Sequence, residues 1–403
     1  MRNEISRSSF GFLNATQFFD ALNENLFKYI VVYFLIFYQG EKNTSLIMSI
    51  TGAIFLLPFI LFSSLGGIFA DRWSKTLVIR ITRFFHLGIM VLALIAMWFE
   101  AIVLTYVILF VMASVSAIFG PSKYGIIPEV VPQDRILRAN GIIAAFTFFG
   151  IILGTSLASL LDTLLHQIFY LMMIACLCIS LTGMILSFFI AYFPPAHKDK
   201  KWPYFLYREI YDSLKEMRQT PLLLTATFAY SYFLFIGAFV QMNIIPYSVT
   251  TLHMKPIVGG YLFIFSSIGI GIGALIAAKT SGSLKILPKA GFGMTVGCFL
   301  FTLFPHPFWL NIIWLIALGI FGGLFLVPSQ AFILANSAPQ NRGRNFGTAN
   351  FLSFVFALLA AGYLYIINTL FKFSPSESFA IMGVVNLAVI VLIYFLIKKP
   401  SPS

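Results

Sequence analysis

About twelve apolar runs, each long enough to cross roughly 30 Å of hydrocarbon as a helix, succeed one another along this chain and leave few residues for anything else. They fall near 10–38, 45–70, 77–98, 101–120, 139–161, 168–193, 222–247, 257–278, 290–305, 309–334, 346–370 and 377–397. In hydrocarbon every backbone N–H and C=O must find a partner inside its own structure, and runs of this length satisfy that as helices. With 59% of the 403 residues hydrophobic and only 10% charged, a soluble core is excluded. The fold expected is an all-α membrane protein of twelve transmembrane helices.

The net charge of +12 would fit a nucleic-acid partner if it were clustered, but the basic residues gather in alternate connections. Placing the N-terminus inside puts Arg2, Arg7, Arg72, Lys75, Arg80, Arg83, Lys123, Arg135, Arg138, Lys198, Lys200, Lys201, Arg208, Lys215, Arg218, Lys279, Lys285, Lys289, Arg342, Arg344, Lys398 and Lys399 on the cytoplasmic side. Lys42, Lys255 and Lys372 fall outside. Both termini are therefore expected in the cytoplasm, with no nucleic acid as partner. The first run is long and lacks a short apolar segment followed by a small-residue cleavage site, so it reads as an uncleaved span. Cys176, Cys178 and Cys298 lie inside runs and read as packing residues. The five histidines have no ligand spacing, so neither metal nor cofactor is expected.

The first run is unlike the others. Gln17-Phe-Phe-Asp20-Ala-Leu-Asn23-Glu24-Asn25-Leu-Phe-Lys28 sets three charges and several amides in an otherwise apolar helix. A charge at a helix centre costs roughly 2.5–3.5 kcal/mol on insertion, and an i,i+4 ion pair returns only about 0.2–0.5 kcal/mol. The ladder Asp20, Glu24, Lys28 must face a wet cavity or a polar ligand between helices. Lys28 could equally do no more than neutralise Glu24 one turn away.

The two halves of the chain repeat at an offset of 207 residues. Pro121-Ser122-Lys123 meets Pro328-Ser329-Gln330, Pro132-Gln133-Asp134-Arg135 meets Pro339-Gln340-Asn341-Arg342, Arg72 meets Lys279 and Gly66 meets Gly273. Two pseudo-symmetric six-helix bundles follow, residues 1–193 and 222–403, joined by a linker over 194–221. Within that linker Leu206, Ile210, Leu214 and Met217 recur at helical spacing among charged positions. The pattern predicts an amphipathic helix at the cytoplasmic interface, serving as a tether or as a docking site. Pro121 and Pro328 stand at equivalent points of the fourth and tenth runs, as hinges or as static kinks.

Six plus six helices in parallel repeats resemble the major facilitator superfamily, and Gly67-Ile-Phe-Ala-Asp71-Arg72-Trp-Ser-Lys75 is similar to its G-x-x-x-D-R-x-G-R/K loop, with Ser74 in place of the second glycine. The resemblance implies that Asp71, Arg72 and Lys75 gate the cytoplasmic ends of helices. A finer resemblance is to lysophospholipid transporters of the LplT type. It rests on Asn23-Glu24-Asn25-Leu26-Phe27-Lys28, on Pro121-Ser-Lys123-Tyr124-Gly-Ile-Ile-Pro128-Glu129 and on Arg138-Ala-Asn140-Gly141. Glu24 stands where that branch has aspartate.

What the branch implies is alternating-access flipping of a lysophospholipid, such as lysophosphatidylethanolamine, from the outer to the inner leaflet of a bacterial cytoplasmic membrane. A separate acyltransferase would reacylate it. Glu24 or Asp20 would pair with the ammonium, and Lys123 or Lys28 with the phosphodiester, with Asn23, Asn25 and Tyr124 beside them. Lys123 could instead snorkel to headgroups. The second half offers only neutral groups: Gln241, Asn243, Gln330 and Asn350. A monomer is expected. The alternative is a proton-coupled facilitator for a small polar solute, with Asp20 or Glu24 titrating. An enzyme is not expected, because no histidine is followed by aspartate at the spacing of glycerolipid acyltransferases.

Overall fold

The computed structural model describes residues 2–40, 44–195, 206–220, 222–254, 256–280 and 282–398. Lys42, His197, Lys198, Lys200, Lys201, Lys255, Lys399 and linker residues 196–205 and 221 lie outside the described residues. The described chain is helical: α1 (Arg2–Gln39), α2 (Thr44–Arg72), α3 (Lys75–Trp98), α4 (Ile102–Gly125), α5 (Ile127–Val130), α6 (Ile136–Leu164), α7 (Phe169–Phe188), α8 (Leu206–Gln219), α9 (Leu223–Thr250), α10 (Pro256–Ala277), α11 (Leu287–Leu303), α12 (Phe308–Asn336), α13 (Arg342–Leu364) and α14 (Pro375–Lys398). Among the described residues eleven helices are long and apolar enough to cross a membrane. The 38-residue α1 is the twelfth long helix, set apart by the polar ladder in its middle.

The helices pair in the same pattern twice. In the first half α2 packs on α4, α3 on α4 and α7, and α1 on α2, α4 and α7. In the second half α10 packs on α12, α11 on α12 and α14, and α9 on α10, α12 and α14. Hydrophobic burial gives little drive between helices in lipid, so association relies on close packing of small residues. That explains one match of the 207-residue repeat. A Cβ on Gly66 would lie 2.9 Å from Ala117 O of α4, and one on Gly273 would lie 2.1 Å from Ile320 O of α12. Both positions need glycine because two backbones meet there.

By contacts the chain forms two compact units. Unit 1 holds residues 1–133, 146–213 and 338–351, and unit 2 holds 134–145, 214–337 and 352–403. The start of α6 and the start of α13 thus each pack with helices from the other repeat. In unit 1 the core runs through Leu26, Phe27, Ile30, Phe34, Met90, Leu109, Met112, Met172 and Cys176. In unit 2 the fully buried Phe301 and Phe379 stack, Phe239 and Tyr247 meet Phe379 edge-on, and the Tyr247 hydroxyl donates to Phe301 O at 2.9 Å and meets Asn311 Oδ1 at 2.8 Å. Large apolar side chains such as Phe84, Trp98, Phe99, Leu164 and Phe395 remain exposed. That is the surface a lipid-facing helix presents.

Four boundaries differ from the expectation. The first helix starts eight residues earlier, since Arg2–Ser9 continue it. The fourth run continues past Pro121 to Gly125, and the tenth past Pro328 to Asn336, so neither proline ends its helix. The sixth run stops at Phe188 rather than 193 because Arg80 of α3 caps it, its guanidinium donating to the carbonyls of Ser187 (3.4 Å), Phe188 (3.0 Å) and Ile190 (2.7 Å). Ser74, the residue in the glycine position of the loop motif, caps α3 by accepting from Leu77 N and donates to Phe193 O at 2.6 Å. The amphipathic helix is present as α8, with Ile210, Ser213 and Met217 buried and Arg208, Tyr211 and Asp212 exposed.

Candidate functional site

In α1 the spacing of Asp20, Glu24 and Lys28 puts them in successive turns of one face. Asp20 does not rely on that ladder for its partner. Its carboxylate is bonded to the guanidinium of Arg83 on α3, and both side chains are almost wholly buried. Arg83 lies 4.0 Å from the ring centroid of Phe119 on α4, and Lys123, one turn further along α4, lies 5.5 Å from the same centroid and 4.4 Å from that of Tyr124. Desolvated cation–π contacts of this kind contribute about 2 kcal/mol each. Glu24 has Lys123 and Lys28 as charged neighbours and Ser116 of α4 within hydrogen-bonding reach. Lys28 rests 5.2 Å from the Tyr29 ring and 5.1 Å from Phe55 of α2.

This cluster joins α1, α3 and α4 inside unit 1, and several of its groups lack partners. Asn23 is fully buried with neither amide atom hydrogen-bonded, and Glu24 Oε1, Arg83 Nε and Arg83 Nη2 are buried and likewise unmatched. Leaving such groups unmet costs roughly 1–3 kcal/mol each, more where they are charged. His86, one turn beyond Arg83, places Nδ1 3.2 Å from Ser180 Oγ of α7. Among the described residues no group of three or more His, Cys, Asp or Glu side chains could hold a metal ion.

Arg83 corrects one expectation. The charge pattern counts it, with Lys123, among the cytoplasmic loop charges; it lies instead eight residues into α3, turned inward, and Lys123 is buried in the last turn of α4. Its signal was available in the sequence: an arginine inside the 77–98 run, three residues from Arg80, cannot remain in lipid without a partner. Which acid it meets depends on how α1 and α3 both pack against α4 and α7. Asn25, grouped with the ladder, instead turns its amide back to Ala21 O at 2.8 Å on its own helix. Tyr124 packs at 4.9 Å on Phe346 of α13, within unit 1.

The expected gate residues form a second constellation in unit 1. Asp71, fully buried at the end of α2, accepts from the backbone N–H of Gly343 at 2.6 Å and of Arg344 at 2.9 Å, which are orphan donors in the first turn of α13. A Cβ on Gly343 would lie 2.6 Å from Asp71 Oδ1 and 2.7 Å from Gly67 O, so the contact requires glycine. Lys75 reaches Glu129 of α5 at 2.6 Å, a partner the loop motif does not name. Arg344 lies 3.6 Å from Glu209 of α8, and Ser213 of α8 donates to Asn345 Oδ1 at 2.9 Å. Arg72 borders a cavity of about 480 Å³ with Trp73, Ser74, Leu77, Tyr192 and Pro195. Asn350 is half-buried, its amide nitrogen beside Gly120.

In unit 2, Asn243 spends its amide N–H on Pro375 O at 2.8 Å, which ties α9 to α14, while Gln241 beside it is exposed. Gln330 is buried with Oε1 unmatched, two residues after Pro328 in α12.

Over most of its length the chain is similar to known transporters. It is 27% identical over 350 residues to the lysophospholipid transporter LplT of Photorhabdus laumondii subsp. laumondii, covering 83% of this chain and 81% of that protein. To the LplT of Citrobacter koseri it is 28% identical over 344 residues, covering 82% and 79%. In fold it is similar to the human organic anion transporter MFSD10, with a TM-score of 0.78 over 98% of this chain and 99% of that one at 13% identity. With two six-helix repeats, the loop constellation around Asp71 and a family-model match over residues 13–289, the chain belongs to the Major Facilitator Superfamily.

Proposed function

We propose that this protein moves single-chain phospholipids, lysophospholipids, across the membrane by alternating access, carrying the headgroup through its polar interior while the acyl chain stays among apolar side chains. The observation that carries the reading is the cluster of both charge signs held by α1, α3 and α4 inside an apolar bundle, together with the names of the relatives. A lysophospholipid headgroup has matching needs. Its phosphodiester takes donors from Lys123, with Lys28 at the half-buried edge, and where an ammonium is present Glu24 takes it, because Asp20 is already engaged by Arg83. Asn23 and Tyr124 supply neutral contacts beside them.

In this reading the protein sits in a bacterial cytoplasmic membrane with both termini inside, works as a monomer and does no chemistry on its cargo. A separate acyltransferase consumes the delivered lipid. Asp71, Arg72 and Lys75 then hold the cytoplasmic ends of helices together and release them in each cycle, and Pro121 and Pro328 let α4 and α12 flex.

The test is uptake of labelled lysophosphatidylethanolamine into spheroplasts that lack their own transporter and contain an acyltransferase, with and without this chain. Uptake should depend on the chain and drop in a correctly inserted Glu24→Gln variant. Equal uptake with and without the chain would overturn the lipid reading. Undiminished uptake by Glu24→Gln would remove that carboxylate from the site.

A further inference from the structure

Resting on the lysophospholipid reading, we infer that Arg83 is a headgroup-phosphate ligand and that the site it builds with Lys123 selects single-chain phospholipids whose headgroup carries net negative charge. Three observations carry this. The first is the charge count. The cluster holds the cations Lys28, Arg83 and Lys123 against the carboxylates Asp20 and Glu24, so one positive formal charge is left uncompensated inside a membrane-spanning bundle. An isolated charge there is costly, and a cargo that brings one net negative charge removes the cost. A zwitterionic headgroup leaves the imbalance as it was.

The second observation is the guanidinium itself. Its Nη1 is held by Asp20 and its Cζ lies 4.0 Å from the Phe119 ring centroid, so the group is pinned from two sides, while Nε and Nη2 are buried without partners. A fixed guanidinium with free donors is suited to two oxygens of one phosphate, a geometry that an ammonium cannot reproduce. The third is convergence. Lys123 approaches the same Phe119 ring as Arg83, and the fully buried Asn23 keeps both amide atoms unmatched on the α1 turn between Asp20 and Glu24. Arg83, Lys123 and Asn23 therefore offer donors from α3, α4 and α1, and Asp20 orients Arg83 rather than binding cargo.

The experiment measures uptake of labelled lysophosphatidylglycerol, which is anionic, and lysophosphatidylethanolamine, which is zwitterionic, in the same spheroplasts, singly and in competition. The wild-type chain should prefer the anionic lipid by about tenfold, the ratio expected for one additional well-placed charge interaction. Arg83→Gln should bring the two rates close together, mainly by loss of the anionic lipid, and Arg83→Lys should restore only part of the ratio. Because Arg83→Gln also strands Asp20, the paired variant Asp20→Asn with Arg83→Gln serves as the control for folding. It should insert and melt like wild type and, with Lys28 and Lys123 still exceeding Glu24 by one charge but no guanidinium present, show only part of the wild-type ratio. The inference is overturned if wild type takes up both lipids equally, if Arg83→Gln keeps the wild-type ratio, or if the paired variant, which lacks the guanidinium, shows that ratio in full. Absence of uptake for both lipids in wild type overturns the lysophospholipid reading itself, a separate outcome.

Discussion

At the residue scale the buried charges decide most of what can be tested. Lys75 is 1% exposed and its ammonium is met by Glu129, so Glu129→Gln strands a cation where water does not reach. Breaking a buried pair from one side costs about 3–5 kcal/mol, whereas removing both charges is close to neutral. Thermal melting of purified protein should therefore show a clear loss for Glu129→Gln and near recovery when Lys75→Met is added. Asp71 plays a different part, because it accepts from backbone donors at the start of α13. Asp71→Asn keeps one acceptor and loses the charge at a helix N-terminus, an interaction of about 0.3–1 kcal/mol from the dipole plus roughly 1.5–3 kcal/mol for the charged hydrogen bond. Spin labels at the facing ends of α2 and α13 should report a broader, longer distance in this variant, with lysolipid affinity little changed. Lys123→Ala should do the reverse, reducing uptake while that distance distribution stays as in wild type.

At the scale of elements, the two prolines ask whether a helix that runs through proline is merely bent or is used in bending. Pro121 and Pro328 lie inside continuous helices, so the i→i−4 bond that each omits is already lost in the resting structure. Alanine at either position restores a donor and stiffens the helix. If the flexing is used, Pro121→Ala and Pro328→Ala should each slow turnover while equilibrium binding of lysolipid is kept, and unchanged turnover in both would leave the prolines as static kinks. The repetition of the helix pattern was legible in the sequence. The 207-residue offset aligned Gly66 with Gly273, and the structure gives the reason, since at both positions a neighbouring backbone occupies the space of a side chain. The end of α7 was not legible, because it is set by Arg80, 107 residues away from Ser187 in the chain and reached only by packing.

For the whole molecule, the sequence by itself determined the class. Twelve apolar runs, a polar ladder in the first, and matched loops in two repeats lead to a helical membrane protein with a polar interior, because hydrocarbon allows few other solutions. The family resemblance pointed to α1 and α4 as the helices carrying the polar groups. What the sequence could not decide was which charge answers which. Asp20 reads as a ladder partner of Glu24 and Lys28, and its own partner is Arg83; Arg83 reads as a loop charge and lies inside; Lys75 reads as a gate cation and is held by Glu129. Each of these pairings joins residues at least 54 positions apart, and electrostatic energy depends on separation in space and on the surrounding dielectric, neither of which has a period along the chain. Periodicity and spacing therefore fix the helices and the side each residue can face, and only the packing of α1, α3, α4 and α5 decides which buried charge meets its opposite and which is left for a ligand.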